Sequence, residues 1–103
     1  MRFTTAALAL TLLLSDAQAQ ASSVQRGFEF AQANCARCHS INKSGESPLS
    51  RAPPFRELLD RYSVEGLQEL LTDSFLVYHP TMPHFELYPN QISDITAFLA
   101  TLK

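Results

Sequence analysis

Cys35-Ala36-Arg37-Cys38-His39 brings together the most reactive side chains of the sequence. Thiols at i and i+3 and an imidazole at i+4 share one side of a helical turn, because residues three and four apart are neighbours there. In that pattern the thiols can close a disulfide, bind a metal as thiolates, or add to the two vinyl groups of a haem while the histidine reaches its iron. The rest of the chain discriminates among these. With two cysteines in all, a zinc site would need His39 together with His79 or His84, at spacings unlike the usual zinc patterns. A redox Cys-x-x-Cys belongs beside a βαβ unit, and no convincing strand precedes Cys35. Attachment of a c-type haem uses all three side chains.

An iron held by His39 has a second face, and Tyr78-His79-Pro80-Thr81-Met82-Pro83-His84-Phe85 offers candidates for it. Its prolines and aromatics exclude a regular helix or a central strand, and loops of this kind often hold functional residues. Pro83 restricts Met82 to an extended backbone that can aim its sulfur inward. A thioether opposite a histidine is the ligand pair that raises haem potential. The competing readings are a methionine filling a gap in the core, or ligation by His79 or His84.

His39 also needs a partner for its other ring nitrogen, since an iron-bound imidazole normally donates a hydrogen bond from it. The carbonyl of Pro53 is the candidate acceptor. As the residue before Pro54 it is pushed out of the α region, so its oxygen belongs to no helix ladder. The alternative is that Pro53-Pro54 merely punctuates a loop.

Several elements must position these groups. Arg2, the uncharged run from Phe3 to Leu14 and Ala17-Gln18-Ala19 form the three parts of a secretory leader, covering residues 1–19. Its apolar run is too short to span a bilayer, which needs about 20 residues, so no stable membrane insertion is expected after cleavage. Residues 20–103 then make one small domain, of a size that buries only about 60% of its unfolded surface and gains from a covalent cofactor. Gln20 to Ser23 reads as a frayed polar start. Val24, Gly27, Phe28, Ala31 and Cys35 trace the buried stripe of a helix, and a glycine in that stripe predicts another helix crossing closely. Phe30 lies off the stripe.

Ser40 to Ala52 reads as a loop, with Pro54 placed to open the next helix. Phe55, Leu58, Leu59 and Tyr62 predict a short helix with an apolar face; Ser63 caps another, carried by Leu67, Leu70 and Leu71 to about Asp73. Asn90 predicts a cap for a last helix over 91–102, whose Ile92, Ile95, Phe98, Leu99 and Leu102 form one strip. That strip is the natural partner of the Val24, Gly27, Ala31 face. A void bordered by Cys35, Cys38, His39, Phe55 and Met82 is expected beside the crossing.

The mature chain, from Gly27 to its last helix, resembles a small class I cytochrome c. Cys35-Ala36-Arg37-Cys38-His39 matches that family's attachment motif, Ala52-Pro53-Pro54-Phe55 is similar to its proline segment, and Thr81-Met82-Pro83-His84-Phe85 resembles its methionine-ligand loop. Ile95 to Leu99 resembles its closing helix, with an aromatic at Phe98. The resemblance implies an all-α cytochrome c fold of three to five short helices around one haem c, held through two thioethers at Cys35 and Cys38. It implies His39 and Met82 as axial ligands and Pro53 and Phe55 beside the cofactor. One position departs from the pattern: Ala31 stands where the family usually has an aromatic residue, with Phe28 and Phe30 as its nearest substitutes. The stretch from Cys38 to Met82 is also shorter than in mitochondrial relatives, which implies a more exposed propionate edge.

An iron coordinated on both sides has no open position for a substrate, so the expected function is one-electron transfer by a periplasmic carrier and not an enzyme. The rival is a haem-based gas-binding or sensor protein in which the sixth ligand is labile or absent. The mature chain carries seven Lys or Arg against nine Asp or Glu, which argues against nucleic acid as a partner. The partners expected are transient redox proteins meeting a monomer. Arg37, Lys43, Arg51 and Arg56 cluster near the attachment motif. Arg51 and Arg56 are candidates for a propionate contact, against a plainer reading as surface arginines.

Overall fold

A computed structural model of the chain describes residues 4–73 and 87–103. Among these residues the regular structure is entirely helical. Helix α1 spans Thr4–Asn34; a 3-10 turn at Phe55–Glu57 runs into α2, Leu58–Arg61; α3 spans Val64–Asp73 and α4 spans Pro89–Ala100. The all-α class expected from the sequence is the class observed.

At 31 residues, α1 is longer than the short helices expected. The sequence before Gly27 contains no glycine or proline and is rich in alanine and leucine, so nothing interrupts the helical ladder ahead of that residue. Gln20 to Ser23, expected as a frayed start, therefore lie inside a continuous helix in the full chain. No described helix is long and apolar enough to cross a membrane. α1 stops where Asn34 folds its side-chain Nδ2 back onto the carbonyl of Phe30 at 3.0 Å.

The core forms where α1 crosses α4. Ala31, Ile95, Phe98 and Leu99 are buried there together with Ile41, Phe55 and Leu67, and Val24, Phe28 and Phe30 pack against the cluster. Gly27 marks the point of closest approach. A Cβ at that position would lie inside the van der Waals shell of the Asp94 carbonyl and 2.9 Å from Phe98 Cβ. The small residue at Ala31, fully buried, is balanced by Phe28. Its ring meets Phe98 edge-on with centroids 5.6 Å apart, an arrangement favoured by the aromatic quadrupole. The aromatic contact missing at Ala31 is thus supplied one helical turn earlier.

A polar clamp closes the same crossing. Asp94 is buried; its carboxylate accepts hydrogen bonds from Arg26 Nε at 2.9 Å and Nη2 at 3.1 Å, and from Ser23 Oγ at 2.7 Å. The Arg26 bonds, aided by Ser23, hold the Asp94 carboxyl below the usual carboxylate range although burial works in the opposite direction. A depressed folded-state pKa contributes stability above the unfolded value of about 3.9 and loses it as pH falls through the folded value. Asp94→Asn is therefore expected to lower stability at neutral pH only modestly, because the Arg26 side chain is more than half exposed and solvent screens such pairs. Urea titrations of both proteins across pH should show the difference at full size above about pH 5, closing in acid.

The short helices depart from expectation at their ends. Pro54 sits one position before the 3-10 turn, with φ −59° and ψ 142°, and its carbonyl accepts from Glu57 N–H at 3.0 Å. It precedes the turn and does not open it. Tyr62, expected on the apolar face, is 42% exposed because α2 ends at Arg61 and Tyr62 turns out at φ −133°, ψ 147°. Ser63 caps α3 as expected, its Oγ accepting from Gly66 N–H at 3.0 Å. In α4 the cap is Tyr88 and not Asn90. Pro89 takes the first helical position, where its missing donor costs nothing, and the Gln91 side-chain oxygen accepts from Tyr88 N–H at 2.9 Å. Ile92, Ile95, Phe98 and Leu99 are buried as one strip.

Candidate haem attachment site

The attachment residues occupy a separate turn immediately after α1. Cys35 N–H still donates to Ala31 O at 2.8 Å, and Cys35 O then accepts from Cys38 N–H at 3.1 Å and from His39 N–H at 2.9 Å. These last two bonds close a helical turn from Cys35 to His39, which brings both thiols and the imidazole to one side as their spacing predicts. Cys35 and Cys38 are unlinked and half-buried. Burial, with a smaller effect from neighbouring Cys38, pushes the Cys35 thiol up to about 11, so before any cofactor is attached it keeps its proton at neutral pH.

His39 is buried, and its Nδ1 lies 2.7 Å from the carbonyl oxygen of Pro53. A carbonyl only accepts, so Nδ1 carries the proton, and in the neutral ring the lone pair sits on Nε2. That tautomer is the one a metal requires of a histidine whose other nitrogen is engaged. The acceptor is the one expected from the sequence. Phe55 backs the imidazole from another side, with ring centroids 5.1 Å apart, and is itself buried.

The loop between His39 and Pro53 holds this geometry. Phe55 N–H donates to Ser40 O at 2.8 Å, Leu49 N–H to Cys38 O at 3.1 Å and Ala52 N–H to Leu49 O at 2.9 Å. Ser40 N–H donates to Ser47 Oγ at 3.0 Å. The bonds to Cys38 and Ser40 tie the loop back to the end of the attachment turn, and the Ala52–Leu49 bond closes a local turn within it. Cys35, Cys38, His39, Pro53 and Phe55 are thereby brought together. Met82, His79 and His84 lie outside the described residues, and so does the side of the expected void that Met82 borders.

Two arrangements were not legible as functional in the sequence. Asp94 sits one helical turn before Phe98, on the buried face, and that i, i+4 relation is the signal that could have found it. Arg56 donates from Nη1 to Gly45 O at 2.7 Å and lies 3.5 Å from Ser40 Oγ. It is neither a plain surface arginine nor unoccupied, and no local pattern announces a partner eleven residues away.

The donor set fits a covalently bound haem. The two thiols can each add to a vinyl group, sulfur to one carbon and proton to the other, which needs no oxidant. The imidazole offers one lone pair from an orientation fixed by its neighbours. Among the described residues no strand precedes Cys35, where a thioredoxin-like site would have one; the histidines that a zinc site would need, His79 or His84, lie outside them.

Residues 24–103 match the profile of the family described as Cytochrome c. The chain belongs to the cytochrome c family. Among its relatives, cytochrome c-552 of Bradyrhizobium diazoefficiens is 30% identical over 98 residues, an alignment covering 93% of this chain and 90% of that protein. No solved structure matches the chain. As a cytochrome c it contains iron in a covalently bound haem c, and Cys35, Cys38 and His39 form the Cys-x-x-Cys-His pattern that goes with that cofactor. It is a haem c electron-transport protein of all-helical cytochrome c fold, working with redox partners.

Proposed function

We propose that residues 20–103 are released from a leader ending at Ala19 and act in the periplasm as a monomeric one-electron carrier. In this reading Cys35 and Cys38 hold the haem through thioethers, and His39 and Met82 ligate its iron. The bound haem supplies a ferric–ferrous couple. The observation that carries the reading is the 2.7 Å contact between His39 Nδ1 and Pro53 O, which gives Nε2 the lone pair and orients the ring. A donating hydrogen bond also raises the basicity of the ligand nitrogen.

Ligation on both faces leaves no coordination position for a substrate, which is why the reading is a carrier and not an enzyme. For the leader, support comes from its three-part pattern and from the exposure of Ala17, Gln18 and Ala19. Beyond them, Ser23 is bonded to Asp94 of α4. Encounters with donor and acceptor are expected to be transient, as electron-transfer complexes bury little surface.

Visible spectra of the exported protein test the sixth ligand. Wild type should be low-spin and unchanged by carbon monoxide, with a sulfur-to-iron charge-transfer band. Met82→Ala should lose that band and bind carbon monoxide, while His79→Ala and His84→Ala keep it. Ready binding of carbon monoxide by wild type would instead favour the gas-binding protein.

A further inference from the structure

We propose that Arg56 is a positioning residue for His39, acting through the loop that delivers the Pro53 carbonyl. This rests on His39 being the proximal iron ligand. Pro53 is held from its C-terminal side by Phe55, whose N–H is bonded to Ser40 O and whose ring is buried against the imidazole. From its N-terminal side it is held by the loop, where Ala52 is buried and bonded to Leu49.

The loop tip has no such packing. Residues 42–46 are all exposed, and nothing lies within 4 Å of a Cβ built on Gly45, whose φ is +95°. Gly45 is nevertheless tied down, because Arg56 Nη1 donates to its carbonyl at 2.7 Å and approaches Ser40 Oγ. Arg56 lies three residues after Pro53, across the stiff Pro53-Pro54 step and within the 3-10 turn. Its guanidinium therefore joins the far end of the loop to the segment whose carbonyl holds His39. A charge-assisted bond to a carbonyl is stronger than a neutral one, and here it restrains a stretch that otherwise gains little from burial. With the latch closed, Pro53 O stays on Nδ1–H and the imidazole keeps its electron-donating character. With the latch open, that bond lengthens and lone-pair donation to the ferric iron weakens, so the reduction potential rises.

Three exported holoproteins test this: Arg56→Ala, Arg56→Lys and Gly45→Ala. Each is first shown to keep the wild-type low-spin spectrum, so that loss of axial ligation is recognised separately as failure of the ligand assignment. Arg56→Ala should raise the reduction potential and speed exchange of the His39 Nδ1 proton, followed by NMR, about tenfold, the factor for one charge-assisted hydrogen bond. Arg56→Lys, which can still donate to Gly45 O, should restore most of both. Gly45→Ala strains the left-handed backbone and displaces the same carbonyl without touching Arg56, and should shift both in the same direction. Combining Gly45→Ala with Arg56→Ala should add little to Arg56→Ala alone, as for two changes to one contact. An unchanged potential and unchanged proton exchange in Arg56→Ala, with only melting affected, would overturn the proposal. Fully additive shifts in the double variant would overturn it as well.

Discussion

Gly27→Ala is expected to force the terminal helices apart at their closest approach and to destabilise the domain strongly. On propensity alone the change should help, since alanine in a helix interior is favoured over glycine by about 1 kcal/mol. Sterics oppose it with more force. The new methyl would meet the backbone carbonyl of Asp94 and the Cβ of Phe98, and backbone cannot rotate aside as a long side chain can. Overpacking a tight core costs about 1–3 kcal/mol and sometimes more; separating the helices would also strain the Ser23 and Arg26 bonds to Asp94 and the Phe28–Phe98 contact. A net loss of about 3 kcal/mol is a large part of the stability of a domain this small. Thermal denaturation should show the midpoint lowered by about 10–20 °C, with Gly27→Val failing to accumulate as holoprotein. A melting point equal to or above wild type would show that α1 and α4 do not cross at this glycine.

Phe55→Ala should have effects of similar size at the other end of the core. Phe55 is buried, and truncating a buried phenylalanine costs about 3–5 kcal/mol. It also removes the ring 5.1 Å from the imidazole of His39. Denaturation and potentiometry together separate these roles. Phe55→Leu should recover most of the stability, because it refills the volume, yet leave the potential displaced from wild type, because no aromatic face backs the ligand. Recovery of both by leucine would make Phe55 a space-filling residue and nothing more.

The parts of the fold that were legible are those in which one residue type had a single physical use. Gly27 on an apolar stripe pointed to a close crossing because glycine harms a helix unless something needs the space. Pro53 pointed to a carbonyl outside any helix ladder because Pro54 forbids the α region before it, and that carbonyl is the one on His39 Nδ1. Ser63 was legible as a cap for the same kind of reason. The misreadings came where two local preferences competed. At α4, Asn90 is a good cap in isolation, but Pro89 is better as a first helical residue and Gln91 reaches back to Tyr88, moving the cap two residues earlier. Tyr62 continued an apolar spacing whose helix had already ended.

The partners of Arg56 and Asp94 were illegible for a different reason: they come from chain reversals that no local pattern encodes, although the register of Asp94 with Phe98 marks its place on the buried face. Arg26 reaches Asp94 across 68 residues. The length of α1 was not legible because the leader-like pattern of residues 1–19 and the apolar stripe from Val24 read as two segments, although helix-forming residues run from one to the other without a break.

The mass and colour of the denatured mature protein test the central claim most directly. After export, unfolding in strong denaturant and removal of anything loosely bound, the chain should remain red, and its mass should equal that of residues 20–103 plus one haem, with no thiol left to alkylate. A colourless chain at the bare polypeptide mass, with Cys35 and Cys38 both open to alkylation after reduction, would contradict it.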